Sequence, residues 1–111
     1  MEGRTIALTE WEIAGEKIIN QNVFSLARHG KRKELEDLFK GGIDPDSLDR
    51  NGNTLFIIAC QNNHKSIAKL CLRYGANINW RNNFDKTGKF YAKLFGYTAL
   101  YEYLSGKGAE E

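Results

Sequence analysis

DRNGNTLFIIACQNNHKSIAKLCLRYGANIN, residues 49–79, holds two short apolar stretches divided by a polar turn and closed by a glycine. Phe56-Ile57-Ile58-Ala59 leads into Gln61-Asn62-Asn63-His64, and Ile67-Ala68-Lys69-Leu70-Cys71-Leu72 leads into Gly75. Apolar residues at 56, 58 and 59, and again at 67, 70 and 71, fit two amphipathic helices of about two turns each. Helices that short are marginal alone in water, so the pattern predicts stacking on similar neighbours.

Sliding the chain along itself by 33 residues supplies those neighbours. Thr54 falls on Thr87, Ala59 on Ala92, Ile67 on Leu100, Cys71 on Leu104 and Ala76 on Ala109. Backward, Cys71 falls on Leu38. Glycine and its substitute asparagine recur at two phases, Gly30/Asn63/Gly96 and Gly42/Gly75/Gly108. Asparagine is the commonest other residue at positive φ, so one backbone geometry is expected in all three units. The unit reads as helix, tight turn, helix and then an extended finger, such as Ile43 to Gly52 or Ala76 to Lys86.

From Asp49-Arg50-Asn51-Gly52-Asn53-Thr54-Leu55-Phe56 through Asn63-His64 to Gly75-Ala76-Asn77-Ile78-Asn79, the chain resembles an ankyrin repeat. That family's pattern reads roughly D-x-x-G-x-T-P-L-H-x-A-x-x-x-G-H-x-x-V-V-x-L-L-L-x-x-G-A-D-V-N. The central unit departs from it at Leu55, Ile57 and Asn63, where Pro, His and Gly are usual. The resemblance covers about residues 22–111. It implies an all-α ankyrin-repeat solenoid of helix-turn-helix units with extended fingers, in units of about 22–48, 49–81 and 82–111. In the first unit Glu34 and Asp37 replace Ile67 and Leu70, which suits an end face in water. In the third, Gly88-Lys89 replaces Leu55-Phe56 and Ser105 replaces Leu72, which reads as a second cap.

Residues 1–21 form an N-terminal extension outside the overlay. Thr9-Glu10-Trp11-Glu12 has the form of a capping box, and Ile13, Ile18 and Ile19 supply an apolar stripe, predicting a helix over about 10–20. Its role is either to cover the first unit or to dock a partner through Trp11.

Sixteen basic and fourteen acidic residues in 111 give a net charge of +2, which creates no field for general nucleic-acid or membrane attraction. Thr54 to Cys60 is too short to cross a bilayer, and the N-terminus lacks an apolar signal core. Two cysteines at 60 and 71 make no disulfide framework, so a reducing cytoplasmic or cytoskeleton-associated setting is expected.

No pattern supports chemistry. Cys60, His64 and Cys71 lack a fourth zinc ligand, and Cys60/His64 lacks an orienting third group for catalysis. Asp44-Pro45-Asp46-Ser47-Leu48-Asp49 starts like a calcium loop but lacks the glycine at its sixth position, and Leu55 stands at its twelfth. Gly41-Gly42 and Gly106-Lys107-Gly108 are too sparse for a phosphate loop. The expectation is therefore no catalytic residue, no metal and no cofactor. The basic run Arg28-His29-Gly30-Lys31-Arg32-Lys33 is followed by Glu34, Glu36 and Asp37, so local ion pairing is preferred over nucleic-acid contact.

Ankyrin repeats bind proteins through finger tips and the concave face of the inner helices. Carried over by position, that surface is Arg50 and Asn51 on the first finger and Trp80, Arg81, Asn83 and Phe84 on the second, with Lys89 and Lys93 on the third inner helix extending it. Trp, Arg and Phe suit binding hot spots; the alternative for Trp80 is to fold back over the stack as core or to cover the N-terminal arm. Tyr91, Tyr97, Tyr101 and Tyr103 are expected to pack, with hydroxyls reaching the surface. The expected function is non-catalytic binding of a protein partner. The alternative is a structural subunit built into a large cytoskeletal or ciliary assembly.

Overall fold

The structure, a computed structural model, describes residues 22–111; the helix expected over about 10–20, and Trp11 with it, lies outside the described residues. Among the described residues six helices follow one another: α1 Asn22–Arg28, α2 Arg32–Lys40, α3 Leu55–Gln61, α4 Lys65–Arg73, α5 Gly88–Leu94 and α6 Thr98–Gly106. They alternate between seven and nine residues, close to the two turns that the apolar spacing predicts. No strand occurs among the described residues. Helices α1, α3 and α5 pack side by side as an inner row, each against its own partner α2, α4 or α6. Behind them α2 packs on α4.

The 33-residue period is visible atom by atom. Gly30, Asn63 and Gly96 have φ of 72°, 59° and 74°, and Gly42, Gly75 and Gly108 have 103°, 95° and 78°. A left-handed residue reverses the chain after each inner helix, and only glycine or asparagine adopts it at little cost. Thr54 and Thr87 cap α3 and α5 alike: each hydroxyl accepts from the backbone N–H three residues on, at 3.2 Å. Such a cap is worth about 1 kcal/mol.

The fingers also share one device. Asp49 Oδ1 accepts from the N–H groups of Asn51 and Asn53 at 2.9 and 2.8 Å. Asn82 Oδ1, one period later, accepts from Phe84 and Lys86 at 2.9 and 3.0 Å. Each side chain thus folds the tip of its finger without neighbouring strands.

The core runs through the central unit, where Leu55, Phe56, Ile57, Ile58, Ala59 and Cys60 are all buried. In the first unit Glu34 and Asp37 are exposed, as a water-facing end requires. Gly88 has a different reason from the capping substitution that the sequence suggested. It is buried, and a Cβ placed there would lie 2.7 Å from the Phe56 ring and 2.8 Å from Cys60 Sγ. Its smallness lets α5 approach α3 closely.

Candidate partner-binding surface

The two finger tips are joined by backbone. Asn83 N–H donates to the Asn51 carbonyl at 2.9 Å, and its carboxamide donates to the Arg50 carbonyl at 3.3 Å. Asn82 Nδ2 reinforces the pair with a buried 2.8 Å bond to Asn53 Oδ1. With their backbones held, Arg50 and Asn51 keep exposed side chains, and Phe84 stands out 61% exposed. Trp80 is half-buried and packs against the hydrophobic core.

Arg81, Lys89 and Lys93 converge on the C-terminal segment. The Arg81 guanidinium donates to the carbonyls of Asp85 and Glu111 at 3.2 and 3.0 Å. Lys89 Nζ donates to the Ala109 carbonyl at 3.1 Å and lies 5.1 Å from the centre of the Tyr101 ring. Lys93 meets the Glu111 carboxylate at 3.3 Å, and the Tyr101 hydroxyl donates to the same carboxylate at 3.0 Å. The Tyr101 hydrogen bond foremost, with Lys93 and Lys89 adding, holds the Glu111 carboxyl below its ordinary range. By phase Lys89 and Lys93 replace Phe56 and Cys60, the two side chains on which Gly88 of the next unit packs.

Sequence reasoning missed Leu94 and Phe95. They are 60% and 50% exposed, and with Phe84 they are the large exposed apolar side chains of the described residues. Phe95 stacks on Tyr91 with ring centres 6.2 Å apart and lies 5.7 Å from Tyr97, while Phe90 meets Tyr91 at 5.3 Å. The four tyrosines pack against the core as expected, but the hydroxyls of Tyr91 and Tyr97 bond within the fold instead of simply reaching the surface: Tyr91 accepts from Asn82 Nδ2 at 2.8 Å and Tyr97 donates to the Gln61 carbonyl at 3.0 Å. The available signal was the overlay itself, because the central unit carries polar Gln61 and Asn62 at these phases.

Cys60 and Cys71 are buried free thiols. Burial foremost, then the Cys71 charge, pushes the Cys60 thiol up. Burial foremost, then Asp46, pushes Cys71 up to about 12, against a smaller opposing hydrogen bond. Neither is a ready thiolate nucleophile. His64 is turned elsewhere, its Nε2–H donating to the Arg28 carbonyl at 2.9 Å. Among the described residues no three His, Cys, Asp or Glu side chains group as metal ligands, and no helix is long and apolar enough to cross a membrane. Within the basic run, Arg32 pairs with Glu36 at 3.1 Å.

A family profile described as ankyrin repeats, in three copies, matches residues 24–111. No curated protein matches the chain.

Proposed function

The chain belongs to the ankyrin-repeat family, whose repeats are generally protein–protein interaction modules, and on that premise we propose that it binds a protein partner through the finger tips and the inner helices of its third unit, without catalysis. The observation that carries this reading is the exposure of Phe84, Leu94 and Phe95, at 61%, 60% and 50%, on a frame that is otherwise closely packed. Apolar side chains held on a rigid frame lose little entropy on binding. Arg50 and Asn51 present their side chains beside Phe84, and Asn83 fixes the two tips in register. Trp80 braces the second finger against the core. Arg81, Lys89 and Lys93 form a polar border, shared with the C-terminal segment. Two buried free cysteines support an intracellular setting.

Phe84→Ala and Trp80→Ala separate contact from bracing, with partner capture and thermal melting as readouts. Phe84→Ala is expected to leave stability within about 0.5 kcal/mol and to weaken capture. Trp80→Ala is expected to lower the melting temperature. Capture per folded molecule unchanged in Phe84→Ala would remove the finger tip from the surface.

A further inference from the structure

The inner helices end in three pairs of residues at the same two phases: Arg28-His29 closes α1, Gln61-Asn62 closes α3 and Leu94-Phe95 closes α5. Two contacts place these ends side by side. His64 donates to the Arg28 carbonyl and Tyr97 to the Gln61 carbonyl, 36 residues apart in each case. Arg28, His29, Leu94 and Phe95 are exposed, and Gln61 and Asn62 partly so. The row therefore runs from basic through neutral polar to apolar. Arg28 has no ion pair among the described residues, and the His29 ring bonds back to Ser25 at 2.9 Å, so the guanidinium is the free charge within the row itself, with the exposed and likewise unpaired Lys31 and Lys33 adding positive charge beyond it.

Resting on the protein-binding reading above, we propose that this row recognises a peptide segment with an apolar cluster at one end and carboxylates at the other, laid across the inner helices. The apolar cluster packs on Leu94 and Phe95, and the carboxylates meet Arg28. Neighbouring packed helices lie about 8–10 Å apart, so the two ends of the row are separated by roughly 16–20 Å. That span corresponds to about five or six residues of extended chain, or about eleven to thirteen of helix. Apolar contact supplies affinity at one end, while the charge at the other fixes which way round the segment lies.

The probe is a random library of peptides, each about sixteen residues long to cover both spans, displayed on phage and selected on the full chain. Peptides carrying an apolar cluster and carboxylates at that separation are expected to be enriched. On the Leu94→Ser/Phe95→Ser chain their capture is expected to fall about tenfold or more. On an Arg28→Glu chain, selection is expected to keep the apolar cluster and exchange carboxylates for lysine or arginine. Apolar peptides with the same charge preference on both chains would overturn the graded row and leave the apolar site standing. Capture unaffected by Leu94→Ser/Phe95→Ser, or no enrichment at all, would overturn the site and the row together.

Discussion

Helices α3 and α5 fill the same place in successive units and differ sharply in what they bury. In α3 every residue from Leu55 to Cys60 is buried, whereas in α5 only Gly88 and Ala92 are. Both begin at a threonine cap with the same 3.2 Å hydrogen bond, and both end in a left-handed residue. What differs is the side chains on the shared backbone. Lysines replace Phe56 and Cys60, and Leu94 and Phe95 replace Gln61 and Asn62. The central unit spends its apolar residues on cohesion, and the third unit leaves some of them outside. In a solenoid the period fixes where the backbone goes, while the surface of each unit remains free to specialise.

The largest expected effect comes from hollowing the cohesive side of that contrast. Phe56 is fully buried, and Phe56→Ala is expected to destabilise the chain by about 3–5 kcal/mol in chemical or thermal denaturation. A cost near that of an exposed phenylalanine would erase the distinction between the two units. Next is the junction between them. Gly88→Ala brings a methyl group against Phe56 and Cys60, and is expected to cost about 1–3 kcal/mol in the same assay. A neutral result would show that α5 does not approach α3 this closely.

A third prediction uses the dryness of the central unit. The unfolded thiols of Cys60 and Cys71 lose their protons near the ordinary value of 9.0, while burial keeps the folded thiols protonated, that of Cys71 to about 12. The folded state then holds more protons than the unfolded state, so stability falls as pH rises above that ordinary value. Each thiol contributes a slope of about 1.4 kcal/mol per pH unit. Melting curves between about pH 9 and 10.5 are expected to be flatter for Cys60→Ala/Cys71→Ala than for the unaltered chain. Equal slopes would mean that water reaches these thiols.

Much of the fold was legible because it repeats. Glycine and asparagine recurred where the backbone needs positive φ, and Thr54/Thr87 marked two helix starts by one hydroxyl geometry. The exposed acids Glu34 and Asp37 were readable as an end face for the same reason. Gly88 was misread because a sequence shows that a side chain is missing but not what stands in its place, here Phe56 and Cys60. The site was less legible. Position on the finger was enough to expect Phe84 at the surface, where it is exposed, but Lys89 and Lys93 turn toward Ala109–Glu111, contacts made across 20 and 18 residues of chain that no local pattern encodes. Leu94 and Phe95 look like core residues in sequence, and only their phase and exposure reveal them as surface.

The smallest expected effect on stability is also the most direct test of the third unit's role. A Phe84→Ser/Leu94→Ser/Phe95→Ser chain, melted and assayed side by side with the unaltered chain against the peptides enriched from the library, separates cohesion from recognition. The predicted result is a melting temperature within about 4 °C of the unaltered chain, since exposed positions contribute little to stability, together with loss of peptide capture. A fall of more than about 10 °C with capture per folded molecule retained would contradict it, because these side chains would then belong to the core of the stack.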